Sequence, residues 1–333
     1  MPTSHYKLSI ARAGARCAAA MVLAQLSAVM PALAADAYPN RPIRIVVPNS
    51  AGSGLDAVSR LIGNHLVAAW GQQVVIDNRA GAGGNIGTEI VARALPDGYT
   101  LLMMTSLNPI LYAMYEKHSY DLVKSFAPIT LLGSAPFILV VNPSVAATSM
   151  RDLIALAKAK PGQLNYGSPG SGSSAHLSTE MLKSMTGMNL VHVPYKGTTP
   201  VVIDTMSGQL QLATLVATAV LPSIRAGKIR ALGVTTLKRT PLAPEVPAIA
   251  ETVPGYEWTG WYGLVAPAGT PREIIGRLNA EQNRALKTAE LRDQLFNLGA
   301  EVLGTSPEEF ALHIRTQLDK MRVAIKVSGA RPD

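Results

Sequence analysis

The amino-acid sequence predicts an α/β fold of one or two doubly wound domains. Short runs rich in β-branched residues alternate with helix-periodic segments along most of the chain, and loops containing glycine and serine separate them. The composition, with 48% hydrophobic and 16% charged residues in a chain of 333, is that of a globular protein. Strands that alternate with helices form a parallel sheet, and such sheets bind ligands beyond the carboxyl ends of their strands.

The first 34 residues predict a cleaved secretory signal peptide. Three basic residues between positions 7 and 16 precede an uncharged run over residues 17–30, and Ala32-Leu33-Ala34 supplies the small residues of a cleavage site. The run is shorter than the roughly 20 residues that a membrane-spanning helix needs. The only cysteine of the sequence, Cys17, lies in this segment, so the mature chain relies on burial of its core rather than on disulfides.

The charge pattern argues against nucleic-acid binding. The formal net charge is +8, and loss of the three basic residues of the signal peptide leaves +5. Charges are scattered and aromatic residues make up only 5% of the chain, whereas nucleic-acid sites combine a basic stripe with stacking rings. Two long uncharged stretches, residues 126–150 and 205–224, contain prolines or glutamines that argue against membrane spans.

The first part of the mature chain predicts a β-α-β-α-β series. Residues 43–47 form a β-branched strand, and Val58, Ile62 and Leu66 follow at helical spacing until Gly71. The next predicted elements are a strand at 74–76, a helix at 86–95 and a strand at 99–105.

A second series begins with a strand at residues 137–141. Ser149 and Asp152 predict a capping box at the start of the next helix, and Ser306 and Glu309 predict another at the last helix. The remaining predicted elements are strands at 164–167, 190–194, 210–216, 229–235 and 258–266, a helix that begins at 173 or 174, and helices that finish the chain.

The glycine-rich loops fit neither a nucleotide site nor a serine hydrolase. The glycines of residues 81–87 follow a G-x-G-x-x-x-G spacing, and the chain contains no G-x-x-x-x-G-K-[ST] motif. The serines within residues 52–54 and 170–174 lack the G-x-S-x-G spacing of a nucleophile elbow. The histidines show no metal-ligand spacing. We therefore expect no catalytic residue, no metal and no cofactor.

One pattern occurs twice: a strand, a loop of glycine and serine, and a helix, at residues 49–56 and again at 167–173. Free backbone N–H groups at a helix N-terminus bind a carboxylate or phosphate without a basic side chain, and small side chains let the anion approach. Two such ends that face each other would clamp one anion. Each loop taken alone is also consistent with an ordinary tight turn.

Three side chains near these loops admit two roles each. Asp56 either caps or favours the start of its helix, or accepts a hydrogen bond from the ligand. His176 either packs on a helix face or contacts the ligand. Lys196 is either a solvated lysine or a cation beside the anion.

A family resemblance covers nearly the whole mature chain. It rests on residues 38–43 (YPNRPI), 77–87 (DNRAGAGGNIG), 166–173 (YGSPGSGS), 192–197 (HVPYKG) and 266–271 (APAGTP). Through these segments the chain resembles the Bug-type periplasmic solute receptors of tripartite tricarboxylate transporters. The resemblance implies a two-lobed periplasmic binding protein of the type II, Venus-flytrap class, each lobe a mostly parallel sheet flanked by helices, with the ligand cleft between them. Residues 35–137 plus 258–333 would form the first lobe and residues 138–257 the second.

The resemblance also implies a receptor rather than an enzyme. Such receptors bind a small carboxylate, either a di- or tricarboxylate, an aromatic carboxylate or an amino acid, through backbone N–H groups of two facing loops and ordered waters. The implied ligand-binding residues are Asn49, Ala51, Gly52, Ser53, Gly54, Asp56, Thr105, Ser106, Asn108, Ser168, Gly170, Ser171, Gly172, Ser173, His176, Lys196 and Gly197. The receptor would act as a monomer in the periplasm and deliver its ligand to membrane permease subunits, with no nucleic-acid partner.

The first loop departs from the family's usual pattern, which has an aromatic residue near Asn49, a proline near Ser50 or Ala51, a third glycine near Ser53 and often a threonine at Leu55. Asn49 and Ser53 add polar side chains, so we expect the ligand preference to depend on them. Two other functions stay open. One is a sensor module for a signalling partner, and the other is a periplasmic hydrolase that uses His176 with a nearby serine.

Overall fold

The computed structural model describes residues 38–330, and the predicted signal peptide lies outside the described residues. The described strands are β1 (Ile43–Val47), β2 (Val74–Asn78), β3 (Thr100–Thr105), β4 (Phe126–Val141), β5 (Leu164–Ser168), β6 (Leu190–Pro194), β7 (Leu212–Val216), β8 (Arg230–Val234), β9 (Thr259–Pro267) and β10 (Glu301–Val302). The described α-helices are α1 (Gly54–Trp70), α2 (Asn85–Ala92), α3 (Leu107–Met114), α4 (Met150–Ala159), α5 (Ser174–Thr186), α6 (Thr198–Ser207), α7 (Ala217–Arg225), α8 (Arg272–Ala285), α9 (Ala289–Asn297) and α10 (Pro307–Ser328). Short 3₁₀ turns cover Ala82–Gly84 and Ile249–Glu251.

The strands form one continuous sheet in the order β2-β1-β3-β9-β4-β7-β5-β6, and β8 and β10 also pair with β4. β1 runs parallel to β2 and β3, and β5 runs parallel to β6 and β7. The long strand β4 is antiparallel to β9 along residues 126–136 and antiparallel to β7 and β8 along residues 137–141. We call the part of the sheet from β2 to β9 the first half and the part from β7 to β6 the second half. β4 belongs to both.

The helix ends follow from the sequence. Ser53 caps α1 by accepting the N–H of Asp56 at 3.2 Å, and α1 ends at Gly71, whose φ of 68° suits glycine. The capping box that Ser306 and Glu309 predict is present at α10. Within the described range, none of the helices combines the length and the apolar character that a membrane crossing requires.

The structure corrects the prediction for the strand at 137–141. This segment is the second part of β4, which already begins at Phe126. Pro128 argued against a strand here because proline has no N–H to donate to a neighbouring strand. The register of β4 against β9 shifts just after Pro128, and a strand tolerates proline at such an irregularity. The sequence patterns also do not predict α3, α6 and α7, and the helix expected at 86–95 is the shorter α2.

The predicted capping box at Ser149 is only half formed. Ser149 accepts the N–H of Asp152 at 3.2 Å, as expected. The carboxylate of Asp152, however, accepts the N–H of Thr148 at 3.0 Å and not that of Ser149. The hydroxyl of Thr148 adds a second bond to the same oxygen, at 2.9 Å, which explains why the carboxylate turns to it.

Each half of the sheet carries a cluster of buried apolar side chains. Val46, Leu102 and Trp261 belong to the first cluster, and Leu139, Tyr166 and Leu215 are among the members of the second. Helix α10 contributes to both. Its Phe310, Ile314 and Leu318 lie in the first cluster, and Met321 and Ala324 lie in the second, so one helix holds the two halves together.

Candidate functional site

Two loops that lead from a strand into a helix form the candidate site. Loop 1, residues 48–53, joins β1 to α1, and loop 2, residues 169–173, joins β5 to α5. Because β1 and β3 are parallel, and β5 and β6 are parallel, the carboxyl ends of these strands meet at one edge of each half. The residues after β3 and β6 therefore lie beside loop 1 and loop 2 respectively.

Six backbone N–H groups in residues 51–55 and 171–175 have no hydrogen-bond partner within residues 38–330. They belong to Ala51, Gly54 and Leu55 at the start of α1, and to Ser171, Ser174 and Ala175 at the start of α5. The capping serines take only the third N–H of each helix. Helix starts carry partial positive charge, so each loop offers three donors to an anion.

The carboxylate of Asp56 holds loop 1 together. It accepts the N–H of Gly52 at 2.9 Å, Nε of Arg60 at 3.1 Å and Nδ2 of Asn78 at 3.1 Å. Burial raises the pKa of Asp56, but these hydrogen bonds outweigh burial and hold the pKa below the usual aspartate value. Asp56 is only 4% exposed, and both of its oxygens already have partners in the protein.

Asp56→Asn should lower the free energy of unfolding by about 2 kcal/mol at pH 7, because an amide cannot accept all three bonds of the charged group. The folded pKa lies below the unfolded value of about 3.9, so the carboxylate stabilises the fold above that pH and loses its effect as the pH falls through the folded pKa. Thermal unfolding at pH 7 and pH 3 measures the loss of stability and its pH dependence. The difference in melting temperature between Asp56→Asn and wild type should be smaller at pH 3 than at pH 7. Asp152→Asn, at an exposed carboxylate, is the control and should cost less.

Loop 1 exposes several of its residues to solvent. Asn49 and Ser50 are exposed, and Oδ1 of Asn49 accepts the N–H of Ser50 at 2.8 Å. Ser53 is partly buried because it caps α1. Ala51 and Gly54 are exposed, and no atom lies within 4 Å of a Cβ added at Gly54.

Loop 2 is held by Ser168 and His176. Oγ of Ser168 lies 2.9 Å from the carbonyl of Gly170 and 3.3 Å from the N–H of the same residue, so it closes a tight turn. The N–H of Gly172 donates to Nδ1 of His176 at 3.0 Å. Gly170 and Gly172 have φ values of 152° and 73°, which favour glycine. Ser171 is exposed between them.

The ring of His176 accepts a backbone N–H of loop 2 through Nδ1. Its imidazole stacks on that of His192 with centroids 4.0 Å apart. Nε2 of His192, and not His176, lies 2.7 Å from Oγ of Ser168, which is 0% exposed. Sequence reasoning missed this contact because it depends on the pairing of β5 with β6, which places Tyr166 beside His192. Burial lowers the pKa of His176, and burial with the neighbouring His176 ring lowers the pKa of His192 to about 4.

The residues after β3 use most of their polar atoms inside the protein. Oδ1 of Asn108 accepts the N–H of Thr105 at 2.8 Å, and its Nδ2 donates to Oγ1 of Thr88 at 2.8 Å. Asn108 is 2% exposed. Ser106 donates its N–H to the carbonyl of Trp261 at 3.0 Å. These contacts fix the start of α3.

Lys196 and Gly197 follow β6 on the second half. The ammonium-bearing side chain of Lys196 is exposed. The N–H of Gly197 donates to the carbonyl of Pro169 at 3.2 Å, and the N–H of Tyr195 donates to the carbonyl of Ser168 at 2.9 Å. The segment after β6 is thereby tied along loop 2.

Two contacts that the sequence does not reveal are made at loop 2 and the start of α5, and the first of them joins the two halves. A Cβ added at Gly172 would lie 2.4 Å from Cε of Met114, so the end of α3 touches loop 2. Nε1 of Trp258 donates to Oγ of Ser174 at 2.7 Å. The 3₁₀ turn at Ala82–Gly84 lies between α3 and loop 1. A Cβ added at Gly83 would contact Leu111 of α3, and a Cβ added at Gly84 would contact Pro48 of loop 1.

The charged and sulfur-bearing side chains offer no metal centre in the described part of the chain. Within residues 38–330, His, Cys, Asp and Glu form no group of three or more with the spacing to hold a metal ion.

Residues 58–329 match the sequence profile of the family described as "Tripartite tricarboxylate transporter family receptor". The chain belongs to this family. The Bug-type resemblance that the sequence motifs predicted is therefore confirmed. The match includes loop 2 and begins inside α1, just beyond loop 1.

Three solved structures are similar to this family member over most of its length. The R. palustris protein Rpa4515 with adipate is 38% identical, with a TM-score of 0.75, and the match covers 89% of this chain and all of that one. The periplasmic binding protein BugD is 32% identical, with a TM-score of 0.71 and coverage of 89% and 100%. MatC (Rpa3494) from Rhodopseudomonas palustris with bound malate is 30% identical, with a TM-score of 0.71 and coverage of 86% and 100%. The predicted fold class, an α/β periplasmic binding protein, is confirmed.

Proposed function

We propose that this chain is a periplasmic receptor that binds a small organic carboxylate between loop 1 and loop 2. The observation that carries the proposal is the set of six unpartnered N–H groups, three at the start of α1 and three at the start of α5. A carboxylate accepts several such bonds at once, and the positive ends of both helices stabilise its charge. Ordered waters would complete the contacts.

The ligands of the similar structures support the chemical class. Adipate and malate, present in two of them, are both dicarboxylates. The free donors at two loops match a ligand with two anionic ends or one anion shared between loops. The exposed side chains of Asn49, Ser50 and Ser171 lie on the same loops and would select the part of the ligand beyond the carboxylate.

The proposal divides the predicted site residues by exposure. Asp56, Asn108, Ser168 and His176 are buried and bonded to the protein, so they would hold the loops in shape. Ala51, Gly54 and Ser171 are exposed and would meet the ligand. The exposed Lys196 would add a distant positive charge.

In the proposed transport cycle, two lobes of the receptor close on the ligand. Residues 35–137 plus 258–333 would form one lobe and residues 138–257 the other, linked by β4, by the segment before β9 and by α10. The lobes would close on the ligand by a hinge, and the closed monomer would dock on permease subunits of a tripartite transporter. The basic and apolar pattern of residues 1–34 supports export to the periplasm.

Thermal unfolding with a panel of adipate, malate, citrate, benzoate and glutamate tests the proposal. A ligand at a hundredfold excess over its Kd stabilises the folded state by about 2.7 kcal/mol, which shifts the melting temperature by several degrees. Dimethyl adipate, which lacks the charges, is the control for adipate and should give no shift. A panel without any shift would refute the proposal, and consumption of the best ligand during incubation would favour the hydrolase hypothesis instead.

A further inference from the structure

The backbone of loop 2 has little stiffness of its own. Gly170 and Gly172 lie two residues apart, both at φ values that glycine favours, and glycine is the residue with the most conformational freedom. The donors of Ser171, Ser174 and Ala175 are useful to an anion only when this backbone is fixed beforehand. Side chains that bond to the loop from beneath would supply that rigidity.

One imidazole bonds to loop 2 directly, and a second bonds to Ser168, the residue before the loop. Nδ1 of His176 accepts the N–H of Gly172 at 3.0 Å, so Nδ1 carries no proton. Nε2 of His192 lies 2.7 Å from Oγ of Ser168, and that oxygen bonds to both the carbonyl and the N–H of Gly170. A hydroxyl has one proton, which satisfies the carbonyl of Gly170 when Nε2 of His192 is the donor to Ser168. One set of proton positions thus completes every bond.

Stacking keeps the two imidazoles in place, and burial, which lowers the pKa of both, favours their uncharged form. The rings of His176 and His192 are 4.0 Å apart and inclined by only 9°, and Tyr166 stacks under His192 at 4.9 Å. The hydroxyl of Tyr166 donates to Glu180 at 2.5 Å, and Lys183 pairs with the same carboxylate at 2.6 Å. Glu180 and Lys183 on α5 are the charged groups that act on both rings. Glu180 raises the pKa of both histidines and Lys183 lowers it, so the two effects oppose each other and the pKa values remain lowered.

We propose that His176 and His192 are positioning residues that fix loop 2 in its ligand-binding shape, His176 as an acceptor through Nδ1 and His192 as a donor through Nε2. The proposal rests on the proposed function, since it assigns the loop that His176 and His192 hold to ligand binding. Neither histidine needs to touch the ligand. Each acts through one glycine of the loop.

Asparagine and glutamine distinguish this role from simple packing. The amide oxygen of asparagine reaches the place of Nδ1, and the amide nitrogen of glutamine reaches the place of Nε2. His176→Asn and His192→Gln should therefore keep the Kd for adipate within about threefold of wild type. His176→Gln and His192→Asn should raise that Kd about tenfold or more, because each loses its bond to the loop.

Hydrogen exchange of the loop-2 amides in the unliganded protein gives a second readout that needs no ligand. The Gly172 amide should stay protected in His176→Asn and exchange faster in His176→Gln. If wild type binds no carboxylate but the exchange pattern holds, the proposed function fails while the positioning role stands. Equal exchange rates and equal Kd values for the asparagine and glutamine variants at each site would overturn the positioning role. The reverse result, with tighter binding by His176→Gln and His192→Asn than by His176→Asn and His192→Gln, would overturn it as well.

Discussion

Gly54→Pro should weaken carboxylate binding about 10- to 100-fold without lowering the melting temperature. Gly54 is the first residue of α1, its N–H has no partner in residues 38–330, and a Cβ added there meets no atom within 4 Å. Proline suits this position because its fixed φ is helical and its missing N–H would not be used by the helix. Ser53, with φ of −73° and ψ of 161°, already has the extended backbone that precedes proline. The substitution therefore deletes one proposed donor and little else, and a hydrogen bond to a charged group contributes about 1.5–3 kcal/mol.

Ala289→Pro is the matched control for this experiment. Ala289 is the exposed first residue of α9, and Thr288 before it has φ of −71° and ψ of 139°. The same change is thus made at a helix start that does not belong to loop 1 or loop 2. Titration calorimetry with adipate should give a Kd within twofold of wild type for Ala289→Pro. Similar affinities for Gly54→Pro and wild type would remove loop 1 from the proposed clamp.

The loops were predictable from sequence because local rules determine them. A serine before a helix-periodic run, with a glutamate three residues later, predicts a capping box, and Ser306 caps α10 as expected. At α1 the sequence offered Asp56 as the cap, whereas Ser53 takes that role. Glycine at the end of such a run predicts the left-handed residue that closes it, as Gly71 does. The starts of α1 and α5 follow from these few residues, without any knowledge of tertiary contacts.

The supports of the loops were not predictable from sequence because they depend on pairing between distant segments. The bond from His192 to Ser168 requires β6 to lie beside β5 in one particular register. The bond from Trp258 to Ser174 requires the segment before β9 to lie against the start of α5. A lone histidine or tryptophan in the sequence carries no signal for such a partner.

Backbone donors also explain why the sequence does not name the ligand. An N–H group is present at almost every residue, so a site built from N–H groups leaves only glycine, serine and capping patterns in the sequence. Those patterns locate the anion. The ligand beyond its carboxylate meets the side chains of Asn49, Ser50 and Ser171 in the proposed complex, and substitutions there would change preference rather than abolish binding.

Gly172→Val should raise the Kd for adipate about 100-fold. A β-branched residue at a φ of 73° is strained, and its Cβ would lie 2.4 Å from Cε of Met114. Cε is the flexible end of Met114 and can move aside, but relief of the backbone strain requires loop 2 to change shape, which would displace the N–H of Gly172 from His176 and the neighbouring donors with it. Titration calorimetry measures the affinity, and thermal unfolding measures the loss of stability.

Gly162→Val is the control that separates backbone strain in general from a change in the shape of loop 2. Gly162 has the same φ of 73°, and no atom lies within 4 Å of a Cβ added there. Both variants should lose about 1–2 kcal/mol of stability to left-handed backbone strain, while only Gly172→Val should lose affinity. Equal affinities in the two variants would mean that the shape of loop 2 does not govern binding, and the ligand would then have to be held by loop 1 alone.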